Sequence, residues 1–135
     1  MTDAEEGPGS RALRILLVED DDWNRELLGD YLRHCGYEVL TLAQGLDFFL
    51  IIEQFQPDLV LLDLKLPDID GYKLLEELQQ QPDLQRLPVI VISGFAFHSD
   101  QQRSLDLGAR RHLVKPVSLT KLIEAIEAEA HTSSS

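Results

Sequence analysis

The chain has 135 residues, enough for one domain around one hydrophobic core. Its 24 acidic and 12 basic side chains give a formal charge of −12, which keeps the domain soluble and argues against direct binding to nucleic acid. The longest apolar stretches, such as Phe48 to Ile52 and Leu59 to Leu62, are too short to cross a bilayer, no secretory pattern opens the chain, and the single cysteine, Cys35, points to a reducing cytoplasm.

Met1 to Ser10 is acidic, contains Gly, Pro and Ser, and lacks periodicity. It reads as a flexible leader reaching residue 12, with the folded domain expected over 13–131 and a polar tail over 132–135. Apolar runs of strand length follow at Arg14 to Val18, Tyr37 to Thr41, Asp58 to Leu62, Val89 to Ile92 and His112 to Val114. The third and fourth are continuously apolar, as central parallel strands covered on both faces require. In the first intervening segment Asn24, Leu27, Leu28, Tyr31 and Cys35 form one helical stripe, and Gly36 stands where a left-handed cap is wanted. Leu74, Leu75 and Leu78 make a stripe in the third. The fourth, Asp100 to Leu107, offers little beyond Leu105 to bury and is expected to be the least firmly packed cover. In the last, Leu119, Leu122, Ile123, Ile126 and Ala130 share a face behind Ser118 as N-cap.

Strict strand–helix alternation implies right-handed crossovers and a parallel sheet with helices on both faces. Five repeats suit an α/β, flavodoxin-like doubly wound (βα)5 fold with strand order 2-1-3-4-5. In such sheets ligands bind beyond the carboxyl ends of the strands, beside the switch point between strands 1 and 3.

Strand 1 ends in Glu19 and Asp20, strand 3 in Asp63, strand 4 in Ser93 and strand 5 in Lys115-Pro116. Asp21 and Asp22 read as ordinary acids at a helix entry, and a lone Asp after a strand is usually a turn residue. Together, however, these residues have the chemistry of phosphoryl transfer to a carboxylate. Crowded carboxylates repel unless a hard divalent cation joins them, and Mg²⁺ takes one or two carboxylates while keeping positions for water and phosphate oxygen. Asp63 can then attack a phosphoryl donor to form an acyl phosphate, Lys115 can pair with the transferred oxygens, and Ser93 can donate a hydrogen bond to them.

The segments ILLVEDD (15–21), PDLVLLDLKLPDIDG (57–71), PVIVISG (88–94) and GARRHLVKP (108–116) closely resemble those of two-component receiver domains, over roughly residues 14 to 130. The resemblance implies that Asp63 is the phosphoacceptor. It makes Asp20, Asp63 and the backbone carbonyl of Lys65 the Mg²⁺ ligands (Mn²⁺ being an alternative), with Glu19 reaching the ion through water. Ser93 matches the switch hydroxyl and Lys115 the invariant lysine, and Pro116 follows a cis peptide bond in the family. Pro67, Asp70 and Gly71 match the turn into the third helix. The implied protein is a cytoplasmic phosphoprotein switch rather than an enzyme. It takes its phosphoryl group from a histidine kinase or phosphotransfer protein and presents the helix 4–strand 5–helix 5 face to a downstream protein or to a second copy. It has no nucleic-acid or membrane partner.

Three positions stand apart from the pattern. Lys65 and Phe95 border the mouth of the site, and either they are a surface lysine and a loop aromatic or together they restrict the hydrolytic water. His112 stands where the family usually carries the switch Tyr or Phe. A plain exposed strand histidine is one reading; the other is a polar, titratable switch that makes coupling pH-dependent. Phe95, Ala96 and Phe97 form an apolar cluster that either anchors a partner or tucks inward.

A haloacid-dehalogenase-type phosphohydrolase wants a second acid two residues after the nucleophile, where Lys65 stands, and a cap domain. A flavin-binding protein wants a phosphate loop after strand 1, where Glu19 to Asp22 is acidic. A pseudo-receiver that never turns over phosphate is opposed by the intact Glu19, Asp20, Asp63, Ser93 and Lys115 set. Few residues follow the last helix, so the expected protein is a single-domain regulator acting through a partner, the alternative being a receiver segment of a larger regulator or hybrid kinase.

Overall fold

The computed structural model describes residues 11–133. The leader expected over residues 1–12 therefore lies outside the described residues except for its last two, and the tail expected over 132–135 except for its first two. Arg11 is tied down, its guanidinium donating twice to the Asp58 carboxylate at 2.8 and 3.0 Å.

Five strands, β1 (Arg14–Val18), β2 (Glu38–Leu42), β3 (Leu59–Leu62), β4 (Val89–Ser93) and β5 (Arg111–Val114), form one parallel sheet in the order β2-β1-β3-β4-β5. The connecting helices are α1 (Asp22–His34), α2 (Phe48–Phe55), α3 (Gly71–Gln79), α4 (His98–Asp106) and α5 (Leu119–Ser133). A short 3₁₀ turn, Pro82–Leu84, precedes β4.

Alternate residues of each strand enter opposite layers, as the period of two dictates. Leu16, Val18, Val60, Leu62, Val89 and Val91 pack with Phe48 and Ile52 of α2 and Leu74, Leu75 and Leu78 of α3. Ile15, Leu17, Leu59, Leu61, Ile90 and Ile92 pack with Leu28 and Leu32 of α1 and Leu122, Ala125 and Ile126 of α5. Each fully buried Leu or Ile contributes about 1.5–3 kcal/mol of transfer free energy. The sheet is thus sealed on both faces, and only its ends are free for chemistry.

The stripe expected on α1 is displaced. Leu28, Gly29 and Leu32 are its buried residues, whereas Leu27 and Cys35 are exposed. The Leu28–Leu32 spacing, one turn apart, aligns with the sheet, and Leu27 is rotated off that line. Gly36 has φ +99°, the left-handed cap foreseen after Cys35. Ser118 caps α5, its hydroxyl accepting from the Lys121 N–H at 3.3 Å. In α4 only Ser104 is buried, so that helix is the lightly packed cover its composition implied.

Candidate functional site

Parallel strands that stop in register deliver their next residues to one rim. Asp63 follows β3 directly, and its N–H donates to the Val18 carbonyl at 3.0 Å, which places it beside the end of β1. Its side chain is buried: Oδ1 accepts from the Lys65 N–H at 3.1 Å, and Oδ2 accepts from Lys115 Nζ at 3.0 Å. Glu19 is buried as well, with Oε1 2.9 Å from the same Lys115 Nζ and Oε2 accepting from the Asp21 N–H at 3.0 Å. One ammonium therefore bridges two carboxylates.

Burial pushes the Glu19 carboxyl above the usual carboxylate range, against the opposing pull of Lys115 and the Asp21 N–H. For Lys115, burial works against the charge, but the bonds to Glu19 and Asp63 prevail and hold its ammonium above the ordinary lysine value.

Carboxylate oxygens of Glu19, Asp20 and Asp63 lie within 4.8 Å of one another. Among the described residues, the Asp20 side chain accepts no hydrogen bond and makes no ion pair. This is a hard, all-oxygen donor set with one free carboxylate, and it fits a small divalent cation. It opens on a cleft of about 660 Å³ lined by Asp20, Asp21, Asn24, Asp63, Lys65, Gly94, Phe95 and Lys115. Lys65 and Phe95 thus border the same opening. The Lys115–Pro116 peptide is cis.

The turn after Asp63 depends on Gly71. A Cβ there would lie 2.5 Å from Leu64 Cα and 2.8 Å from the Leu64 carbonyl oxygen. The Gly71 N–H donates to that same oxygen at 2.9 Å, and Asp70 caps α3 by accepting from the Tyr72 N–H. The glycine permits backbone to meet backbone directly behind Asp63.

Ser93 is fully buried, and its Oγ accepts from the Phe95 N–H at 3.0 Å. The Phe95 carbonyl in turn lies 3.0 Å from His112 Nε2, while His112 Nδ1 lies 2.7 Å from Ser104 Oγ. A carbonyl only accepts, so Nε2 carries a hydrogen here. The reading of His112 as a plain exposed strand residue is therefore corrected: it is half-buried and tied to α4 on one side and to the β4–α4 loop on the other. Ser104 escaped notice in the sequence because a serine in a polar helix carries no signal of burial. Phe95 turns inward, its ring parallel to Tyr72 at 6.4 Å, and the Arg103 guanidinium sits 3.9 Å above the Tyr72 ring. Phe97 is 79% exposed, so of the apolar cluster Phe95 tucks inward and Phe97 does not.

A family model described as "Response regulator receiver domain" matches residues 15–127. The chain is 31% identical over 114 residues to the polar-differentiation response regulator DivK of Brucella anthropi, an alignment covering 84% of this chain and 93% of that protein. A putative response regulator from Chloroflexus aurantiacus superposes with a TM-score of 0.85 at 30% identity, covering 90% of this chain and 99% of that one. The Mn²⁺-bound form of response regulator Rcp1 matches at TM-score 0.73 and 33% identity, over 86% and 92% of the two chains. The chain belongs to the response-regulator receiver family. It shares with that family the CheY-like flavodoxin fold, and its acidic cluster stands where a metal can be held.

Proposed function

We propose that this receiver accepts a phosphoryl group on Asp63 and reports it through α4 to a protein partner. The observation that carries the reading is the placement of Asp63 at the base of the acidic cleft, with Lys115 on Oδ2 and the carboxylates of Glu19 and Asp20 alongside. Asp20, Asp63 and the Lys65 carbonyl would hold Mg²⁺ or Mn²⁺, with Glu19 acting through water. When bound, the ion offsets the charge of the crowded acids and of the incoming phosphoryl oxygens.

An Asp63 oxygen attacks phosphorus, and the bond from phosphorus to the donor histidine of a kinase or phosphotransfer protein breaks. Its electron pair stays on the ring nitrogen, and with the other ring nitrogen already carrying a proton the donor leaves as neutral imidazole. Lys115 follows the new negative charge onto the phosphoryl oxygens. The Ser93 hydroxyl, which now accepts from the Phe95 N–H, turns to donate to the same group. That exchange loosens the Phe95 backbone, and with it the carbonyl that holds His112 and the histidine's bond to Ser104. The α4–β5–α5 face, with Phe97 exposed beside it, is the surface we assign to the downstream protein or to a second copy. Lys65 and Phe95 narrow the cleft mouth against hydrolytic water.

The protein acts as a switch that assists its own phosphorylation and dephosphorylation rather than as an enzyme on another substrate. The lone Cys35 suits a cytoplasmic setting. Incubation with acetyl phosphate and measurement of intact mass tests the reading. A single phosphoryl adduct that needs Mg²⁺ and disappears in Asp63→Asn is expected. No adduct under any condition would leave a receiver fold used purely as a binding module.

A further inference from the structure

In the acidic turn leaving β1, three of the four carboxylates have a partner. The Glu19 carboxylate is held by Lys115 and by the Asp21 N–H, the Asp21 side chain accepts from the Asn24 N–H at 2.9 Å to cap α1, and Asp22 pairs with Arg25. Asp20 alone of these four acids keeps a carboxylate without a partner among the described residues, and it lines the cleft beside Asp63. No hydrogen bond or ion pair to its side chain aims it, so the backbone, which sets the direction of its Cα–Cβ bond, determines where the carboxylate can reach.

Arg25, on the first turn of α1, controls that backbone. Its Nη1 donates to the Glu19 carbonyl at 3.0 Å and to the Asp20 carbonyl at 3.4 Å, while Nη2 bonds to Asp22. The two carbonyls belong to the two peptide groups that flank the Asp20 Cα. One rigid guanidinium thus restrains both planes, and therefore φ and ψ of Asp20 together. The Arg25 side chain is only 19% exposed, and its bond to the Glu19 carbonyl is part-buried, whereas the longer one to the Asp20 carbonyl faces solvent.

We propose that Arg25 is a positioning residue for the divalent-cation site, fixing the backbone of Asp20 so that its free carboxylate is aimed at the cleft before the ion arrives. The inference rests on the reading that the cleft takes such a cation. Charge alone predicts the opposite sign, because a guanidinium near the acids opposes entry of a cation. The pairing of Arg25 with Asp22 offsets that charge and leaves geometry to decide. Arg25→Lys keeps the charge, but its Nζ ends one bond short of the Nη1 position and leaves no second nitrogen for Asp22, whereas Arg25→Ala loses the charge and both carbonyl bonds.

The test is calorimetric titration of the full chain with MgCl₂ alone, for the parent and both variants, alongside urea unfolding in chelator to compare the metal-free proteins. Both variants should bind Mg²⁺ about tenfold more weakly, as expected when a group that orients a metal ligand is removed, while Arg25→Lys unfolds close to the parent without metal. Parent-like Mg²⁺ affinity in Arg25→Lys, or tighter binding in Arg25→Ala, would overturn the proposal and assign Arg25 a purely electrostatic part. If Arg25→Ala does not fold, Arg25→Lys decides alone. If the parent takes up no Mg²⁺, the cation reading of the cleft falls and this proposal with it; if the parent binds and the variants match it, only the proposal falls.

Discussion

The ammonium of Lys115 donates to Oδ2 of Asp63 across 3.0 Å, joining the residue that follows β5 to the one that follows β3. Because the same nitrogen also serves Glu19, removing it strands two buried carboxylates. Losing one partner of a buried pair costs about 3–5 kcal/mol; with Lys115 a quarter exposed, Lys115→Ala should cost about 1–3 kcal/mol. Added Mg²⁺ should recover more of that loss than it adds to the parent. Urea unfolding with and without Mg²⁺ measures both, and an equal Mg²⁺ increment in the two proteins contradicts the shared-cation account.

Gly71→Ala would push a methyl group into Leu64 at the segment that carries Asp63. Overpacking of this kind costs about 1–3 kcal/mol, and here the displaced atoms are backbone. The variant should unfold at lower urea and take phosphate from acetyl phosphate more slowly. Unchanged phosphorylation in a clearly destabilised variant would separate the turn from the site.

Ser104→Ala removes the hydroxyl that His112 Nδ1 meets at 2.7 Å, leaving a half-buried ring nitrogen without its partner. The loss should amount to about 1–3 kcal/mol and fall on α4, which buries no other residue. Hydrogen exchange should quicken across His98–Asp106 and remain unchanged in α3. Uniform acceleration throughout the domain would show that Ser104 supports global stability rather than the docking of α4.

Burial raises the Tyr72 phenol above its ordinary value, the charge of Asp100 adds to this, and Arg103 opposes it; burial raises Tyr31 and Tyr37 too. A folded-state value above the unfolded one means that the native chain keeps protons the unfolded chain has released once the pH passes about 10. The stabilising contribution of these phenols is therefore complete below that point and declines as pH rises through the folded-state values. Tyrosinate absorbance should appear at higher pH in the native protein than in denaturant, and Arg103→Ala should move it higher still. Coincident native and denatured curves contradict this.

Much of the architecture was legible because the central strands are apolar on both faces, so LVLL and VIVI admit one placement. In α1 the stripe counted from Asn24 through Leu27, Leu28 and Tyr31 to Cys35 is rotated off the buried line of Leu28 and Leu32, since only the sheet decides whether Leu27 or Leu32 is covered. The candidate site was readable from residue type because each acid follows a strand end. What was hidden are contacts made by backbone atoms: the Phe95 carbonyl on His112, and the Glu19 and Asp20 carbonyls on Arg25. Side-chain chemistry announces itself in a sequence, whereas a carbonyl that waits for a donor is the same at every position.

The most direct measurement locates the phosphoryl group. After reaction with phosphoramidate and Mg²⁺, borohydride reduction converts an aspartyl phosphate to homoserine, and tandem mass spectrometry reads its position. The account predicts homoserine at residue 63 alone, absent without Mg²⁺ and absent in Asp63→Asn. Modification at another carboxylate, or none in a folded chain that binds Mg²⁺, would contradict it.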